Sequence, residues 1–222
     1  MTTSVVNIWN QALSAAGGKG TVSAVGESSR EADLAGLWWE TVRDGVFRTA
    51  SWPCTKAYSR LALLTERDEN ADWVLADPAP GWRYAYAVPS EMIAPRFLHS
   101  YDRFELMLHN GDNALMTNEE NAVLQYSFRQ TDVSLWDSGL TQAVIFALAA
   151  QLCYPLSAKL GQADRLKATA YEFILENRTE IANQTDNHAE DLAPWVSVRG
   201  YEGTPRPTRF FYPYTNLNIV AS

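Results

Sequence analysis

The stretch Arg103-Phe104-Glu105-Leu106-Met107-Leu108-His109-Asn110-Gly111-Asp112-Asn113-Ala114-Leu115-Met116-Thr117 decides the fold. Asn110-Gly111 is a strong signal for a two-residue hairpin, because that turn needs a left-handed backbone at both central positions. Residues Arg103 to His109 alternate before it, and Ala114 to Thr117 is the strand expected to pair back. Towards the N-terminus, Pro78, Pro80 and Gly81 break the chain, and Trp82 to Val88 reads as a strand ended by Pro89. Towards the C-terminus, residues 118–121 turn again. Ala122 to Phe128 is a further strand with Val123, Gln125 and Ser127 on one face. Residues 57–129 are thus expected to form a β-rich insertion with one small antiparallel sheet.

Helical period flanks this insertion on both sides. Val5, Ile8, Trp9, Ala12 and Leu13 recur at three- and four-residue steps over Ser4 to Ala16, and Gly17-Gly18 closes that helix. Ser28 and Ser29 are N-cap candidates for a second helix, with Glu31 in its first turn. Leu34, Leu37, Trp38, Val42 and Val46 form its apolar stripe, and Trp52-Pro53 stops it. A third helix is expected from Ser138 to Leu160. Its face is Leu140, Val144, Ile145, Leu148, Ala149, Leu152, Leu156 and Leu160, with a kink or break at Pro155. Gly161 ends it. Asp164 then caps a last helix to about Asn187, with Leu166, Ala170, Phe173, Ile174 and Ile181 inward. Its outer side is acidic: Asp164 to Asp191 holds seven acids against three bases. The expected fold class is α+β. It is an antiparallel helical bundle (1–56 and 130–191) with the sheet inserted and an extended C-terminal tail (192–222).

That tail has four prolines and no helical period, yet it is rich in aromatics. Trp195, Tyr201, Phe210, Phe211, Tyr212 and Tyr214 stand beside Arg199, Arg206 and Arg209, with Glu202 the single acid. Such a segment on an acidic body is expected to dock on another chain, since a solvated tail carries few aromatics.

Composition limits the function classes. Net charge is -8, with only 18 Lys and Arg, scattered. Tight non-specific nucleic-acid binding needs clustered bases that displace counterions, so a grip on DNA is not expected. Eight Trp and ten Tyr fit either subunit contacts or a Trp-rich core. The longest apolar run, Val144 to Ala150, is seven residues, so no transmembrane helix is expected. The opening residues show no signal-peptide pattern.

The sequence carries few motifs for chemistry. Cys54 and Cys153 are far apart and read as free buried thiols. His99, His109 and His188 show no ligand spacing, so no metal is expected, and His109 reads as a solvated turn residue. No Gly-x-Ser-x-Gly elbow surrounds a serine. Gly17-Gly18-Lys19-Gly20-Thr21 follows a helix instead of a strand and lacks Walker spacing. Asp68, Glu69 and Asp72 match no EF-hand pattern. Asn177-Arg178-Thr179 matches a glycosylation sequon, but within a helix. No catalytic residue and no cofactor are expected.

The order of these elements resembles a phage family. The residues are Asn7-Ile8-Trp9-Asn10-Gln11-Ala12-Leu13-Ser14-Ala15-Ala16-Gly17; Val46-Phe47-Arg48 and Ser51-Trp52-Pro53; and Trp82 to Val88 followed by Pro89-Ser90-Glu91-Met92. Phe104-Glu105, Asn113 to Thr117, Leu124-Gln125-Tyr126 and the alanine-rich helix Phe146 to Leu160 complete the series. Together, over about residues 4–185, they resemble tail tubular protein A, the head-to-tail adaptor of short-tailed phages. The resemblance implies a virion protein, a ring of twelve copies under the portal protein, with a tail nozzle below and viral DNA passing through without sequence-specific binding. It implies no catalysis and no membrane. Glu172, Glu176 and Glu180 would face the channel, because like charges let DNA slide. Trp195, Arg199, Tyr201, Arg206, Arg209, Phe210, Phe211, Tyr212 and Tyr214 would dock on the portal. The nearest alternative is a head-completion or connector protein of a long-tailed phage, which carries a smaller insertion. A hydrolase assembled from scattered Ser, His and Asp is the alternative of a different class.

Overall fold

The computed structural model describes residues 4–68, 77–157 and 160–185. The fold is α+β, with four helices and two antiparallel sheets among those residues. Two helices open the chain, α1 (Val5–Ala15) and α2 (Arg30–Thr49). Seven strands follow: β1 (Lys56–Arg60), β2 (Leu63–Glu66), β3 (Tyr84–Ala87), β4 (Met92–Leu98), β5 (Phe104–His109), β6 (Asp112–Thr117) and β7 (Val123–Phe128). The last two helices are α3 (Ser138–Ser157) and α4 (Leu160–Thr185). The chain divides into two compact units, residues 1–177 and 178–222. The expected tail, 192–222, lies outside the described residues.

Local chemistry sets the helix ends. Ser4 caps α1 by accepting from Asn7 N, and Ser29 caps α2 by accepting from Ala32 N. Gly17, at φ +82°, closes α1, and the amide of Gly18 bonds back to the carbonyl of Leu13. Asp137 caps α3 through Leu140 N at 2.7 Å. α1 and α2 both pack against α3. Ile8, Trp9, Ala12 and Leu13 come from α1, and Val42, Val46 and Phe47 from α2. α3 adds Leu140, Val144, Leu148 and Leu152. It is the one helix among the described residues long and apolar enough to cross a membrane, by length and composition alone. A core helix passes the same test, and α3 carries eight buried residues between α1 and α2.

The insertion holds two sheets, where the sequence pointed to one. Their strand orders are β1-β7-β4 and β2-β3-β6-β5. The chain crosses between them within two residues: Leu61 N bonds to Ala122 O in one sheet and Ala87 N to Ala62 O in the other. The facing sides bury Leu61, Tyr84, Tyr86, Leu98, Leu115, Leu124 and Tyr126. Asn110 and Gly111 take φ +52° and +95°, so the hairpin forms as expected, with His109 opposite Asp112. β1, β2 and β4 were not expected as strands. β4 carries Pro95 and two irregular registers, which hide its alternation.

Three further expectations are corrected. Gly161 and Asp164 lie inside α4, because neither residue alone outweighs a continuing helix. Leu37 is 70 % exposed, and α2 instead buries Ala32, Ala35, Arg43 and Phe47. His109 is buried, not solvated, because it turns inward under the segment before β3.

Candidate interaction surfaces

The acidic residues recur at four-residue steps along α4, and Glu172, Glu176 and Glu180 are all exposed. Ala170 and Ile174 are buried on the opposite side of that helix, and Phe173 stacks on Phe146 of α3 with ring centres 5.4 Å apart. Gly139 lets α4 come close, since a Cβ there would run into the side chain of Asn177. Asn177 Nδ2 is itself committed to Phe173 O at 2.7 Å, which places this sequon amide against the helix backbone. Tyr171 and Leu175 also lie exposed on α4. Trp195, Arg199, Tyr201, Arg206, Arg209, Phe210, Phe211, Tyr212 and Tyr214 lie outside the described residues.

Part of the tryptophan surplus builds the core. Trp9, Trp52 and Trp136 are buried. Trp39 meets Trp9 edge-on at 6.2 Å and stacks on Trp136 at 5.9 Å, and Trp136 meets Phe47 edge-on at 5.4 Å. Arg43 stands one turn from both Trp39 and Phe47 on α2, with a side chain 5 % exposed. Its Nε donates to Asp44 Oδ1 at 2.9 Å, and Arg129 donates to the other carboxylate oxygen at 2.7 Å. A second arginine joins the sheets to the helices. Arg96, on β4, donates to the carbonyls of Phe47 (2.8 Å), Arg48 (3.3 Å) and Ala50 and to Ser127 Oγ (2.9 Å). Those carbonyls end α2, where the helix dipole favours a cation. Gln125 is also buried and is held by Tyr58 OH at 2.6 Å. The shared face of Gln125 and Ser127 thus serves a polar junction.

One cluster has the parts of a proton relay. Thr65 Oγ1 lies 3.0 Å from His109 Nε2, and Asp77 Oδ1 lies 3.6 Å from Nδ1. Asn110 Nδ2 sits 3.1 Å from the same Nε2. A neutral imidazole nitrogen has one lone pair, and the amide competes for it with the threonine hydroxyl. The cluster ties β2, the β5–β6 hairpin and the segment before β3 together.

Open hollows also lie elsewhere among the described residues. One, of about 460 Å³, is lined by Trp82, Phe97, Tyr101, Arg103 and Phe104, with Asp102 and Glu105 at its side. Tyr101 holds φ +62° and stacks on Phe97 at 4.7 Å. Another, of about 530 Å³, lies between α1 and α3 and is lined by uncharged residues, among them Gln11, Gln142 and Phe146.

Both cysteines are free, Cys153 buried and Cys54 partly so. Burial, with the nearby Asp137 carboxylate second, pushes the Cys54 thiol up to about 11. Burial also raises Tyr84, Tyr86 and Tyr126 above the usual phenol range. Gly20 lies against the Glu31 side chain, which puts a carboxylate where a phosphate loop would need an open approach. Among the described residues no group of three His, Cys, Asp or Glu stands together as a metal site. Compared with models of protein families and with curated proteins, the chain matches none. Arg43 and Arg96 were missed by sequence reasoning. The signal for Arg43 was present, as Trp39, Arg43 and Phe47 recur every four residues on one helix face.

Proposed function

We propose that this chain is a ring-forming head-to-tail adaptor of a short-tailed phage, joining the portal protein to the tail nozzle and extending the DNA channel. The observation that carries the reading is the interleaving of the fold. α1 and α2 pack on α3 although 88 residues, with all seven strands, separate Thr49 from Ser138. A β module set between helices that close on each other suits a body that builds a ring and a projection that meets a neighbour. The exposed glutamates of α4 fit a wall that repels phosphate. In this reading the protein is not an enzyme and binds no cofactor. It acts in the virion, assembled as a homo-oligomer of twelve copies with the portal, the nozzle and passing DNA as partners.

The test is the mass of the assembly, measured on the protein alone and on isolated portal. A closed ring of about twelve copies on the portal is the expected outcome. A monomer that never associates with portal sinks the reading. A long-tailed-phage connector is distinguished by imaging the neck that the protein occupies. The relay of Thr65, His109 and Asp77 is the feature nearest to a hydrolase. Asn110 occupies the same nitrogen and the Asp77 side chain is 67 % exposed, so the geometry lacks the buried orienting carboxylate of a triad.

A further inference from the structure

We propose that copies of this chain join edge to edge, the β5 strand of one taking the β1 strand of the next as its outer neighbour. Such joining gives the proposed ring its subunit contact, and so rests on that reading. The two sheets have four open edges, β1 and β4 on one and β2 and β5 on the other. Folded proteins blunt such edges with proline, bulges or short strands, because unpaired N–H and C=O groups invite another chain. Two of the edges are blunted here. β4 carries Pro95 and two breaks in register, and β2 has four residues with one break. β5 and β1 are regular: β5 pairs with β6 over six consecutive residues, and β1 with β7 over five. Among the described residues no strand pairs with the outer side of either.

Charge matches these two edges to each other. Asp102 and Glu105 stand at the start of β5, and Asp112 is opposite its end. The guanidinium of Arg103, between the first two, lies over the Trp82 ring at 5.9 Å. β1 begins at Lys56, ends at Arg60 and holds no acid. Among the described residues, none of Asp102, Glu105, Asp112, Lys56 and Arg60 forms an ion pair.

Apolar surface matches as well. Leu106 and Leu108 are exposed on β5, and Tyr58 is exposed between Lys56 and Arg60 on β1. With the strands antiparallel, Glu105 opposite Arg60 puts Met107 opposite Tyr58, and the end of β5, with Asp112 beside it, opposite Lys56. Opposite charges across a strand pair stabilise it, and like charges weaken it. β1 against a second β1 sets cation against cation, and β5 against a second β5 joins two acidic edges, so the unlike edges are selected. Two different surfaces joined head to tail repeat around a ring when the rotation closes.

Reversing each edge in turn is the test. One variant carries Asp102→Lys with Glu105→Lys, which makes both edges basic. The other carries Lys56→Glu with Arg60→Glu, which makes both acidic. Assembly mass is measured for the natural chain, for each variant and for their equal mixture, alone, and on isolated portal if the natural chain assembles only there. The natural chain should assemble, and each variant by itself should lose the ring. The mixture should recover it with the two variants in equal number, because each offers the edge that the other lacks. Circular dichroism checks folding. Should either variant fail to fold, Leu108→Lys decides, since that side chain is 74 % exposed and a lysine there should also prevent assembly. Variants that assemble like the natural chain, or a mixture of folded variants that stays apart, overturn the edge pairing and leave the adaptor reading standing. A natural chain that assembles neither alone nor on portal overturns both.

Discussion

Single side chains set the junction between helices and sheets. Arg96 is the clearest case, because it offers one guanidinium to three terminal carbonyls of α2 and to Ser127 on β7. Replacing it with Met keeps much of the stem and removes all of those bonds. The expected cost is about 2 kcal/mol, since hydrogen bonds to a charged group are worth more than neutral ones and one end of the set is partly solvated. A urea titration checks it: the midpoint should fall with the slope unchanged. Cys54 makes a second residue-scale prediction. A thiol pushed up to about 11 keeps roughly a hundredth of the thiolate that it would have at its ordinary value of 9.0. Native alkylation at pH 8 should therefore run about a hundredfold slower than in urea. The linkage has a definite sign. Because the folded thiol titrates above the unfolded one, its contribution is complete below pH 9 and is lost as pH rises towards 11. A native rate equal to the unfolded rate would contradict this. Arg43 shows how such a residue is passed over although its place on an aromatic helix face is legible. An arginine on a helix normally reaches solvent, and this one is buried on the side of α2 where Trp136, from ninety-three positions away, stacks on Trp39 and meets Phe47.

At the scale of elements, legibility followed local chemistry. The β5–β6 hairpin was readable because its turn residues are dictated by backbone sterics. Gly111 stands at φ +95°, so Gly111→Ala should cost about 1 kcal/mol and lower Tm by about 2–4 °C, measured by calorimetry. A gain in stability would show that the turn changes type. The unread strands fail for stated reasons. β4 is interrupted by Pro95, and β1 passes to β2 without a Gly or Pro turn, because the chain bends from one sheet into the other. The boundary before α4 was placed at Gly161 and Asp164 although the helix runs through both, since packing of Ala170, Phe173 and Ile174 against the core outweighs propensity. The exposed glutamates of α4 were legible, as charge at four-residue spacing needs no tertiary contact to be seen. Their role is testable as an element. Changing Glu172, Glu176 and Glu180 together to Gln leaves the helix formers in place while removing three charges. If the proposed adaptor function holds, slower DNA ejection from particles carrying the triple variant is the expected result. Ejection at the normal rate would count against the proposal that α4 lines a channel.

The whole chain joins two chemistries. Residues 195–222 hold three arginines and one glutamate, a net +2, so the remaining residues carry -10 of the total -8. Opposite charge on one chain permits two outcomes: the segment is held by an acidic surface, or it is offered to a partner. Aromatic content separates them. Trp195, Tyr201, Phe210, Phe211, Tyr212 and Tyr214 carry far more apolar area than charge pairing alone requires, and exposed aromatics with arginines are the usual anchors of a protein–protein contact. The body does not need them to fill its own interior, because α1, α2 and α3 close on each other and the two sheets bury their facing sides with residues before 130. Deleting 195–222 should therefore leave helix content and thermal unfolding close to those of the full chain, while binding to isolated portal is lost. Circular dichroism reads the first and co-sedimentation with portal the second. Loss of folding on deletion would assign the segment to its own body. Normal portal binding with a normal fold would move the docking surface onto the residues before 195, where the aromatic hollow of Trp82, Phe97 and Tyr101 becomes the next surface to mutate.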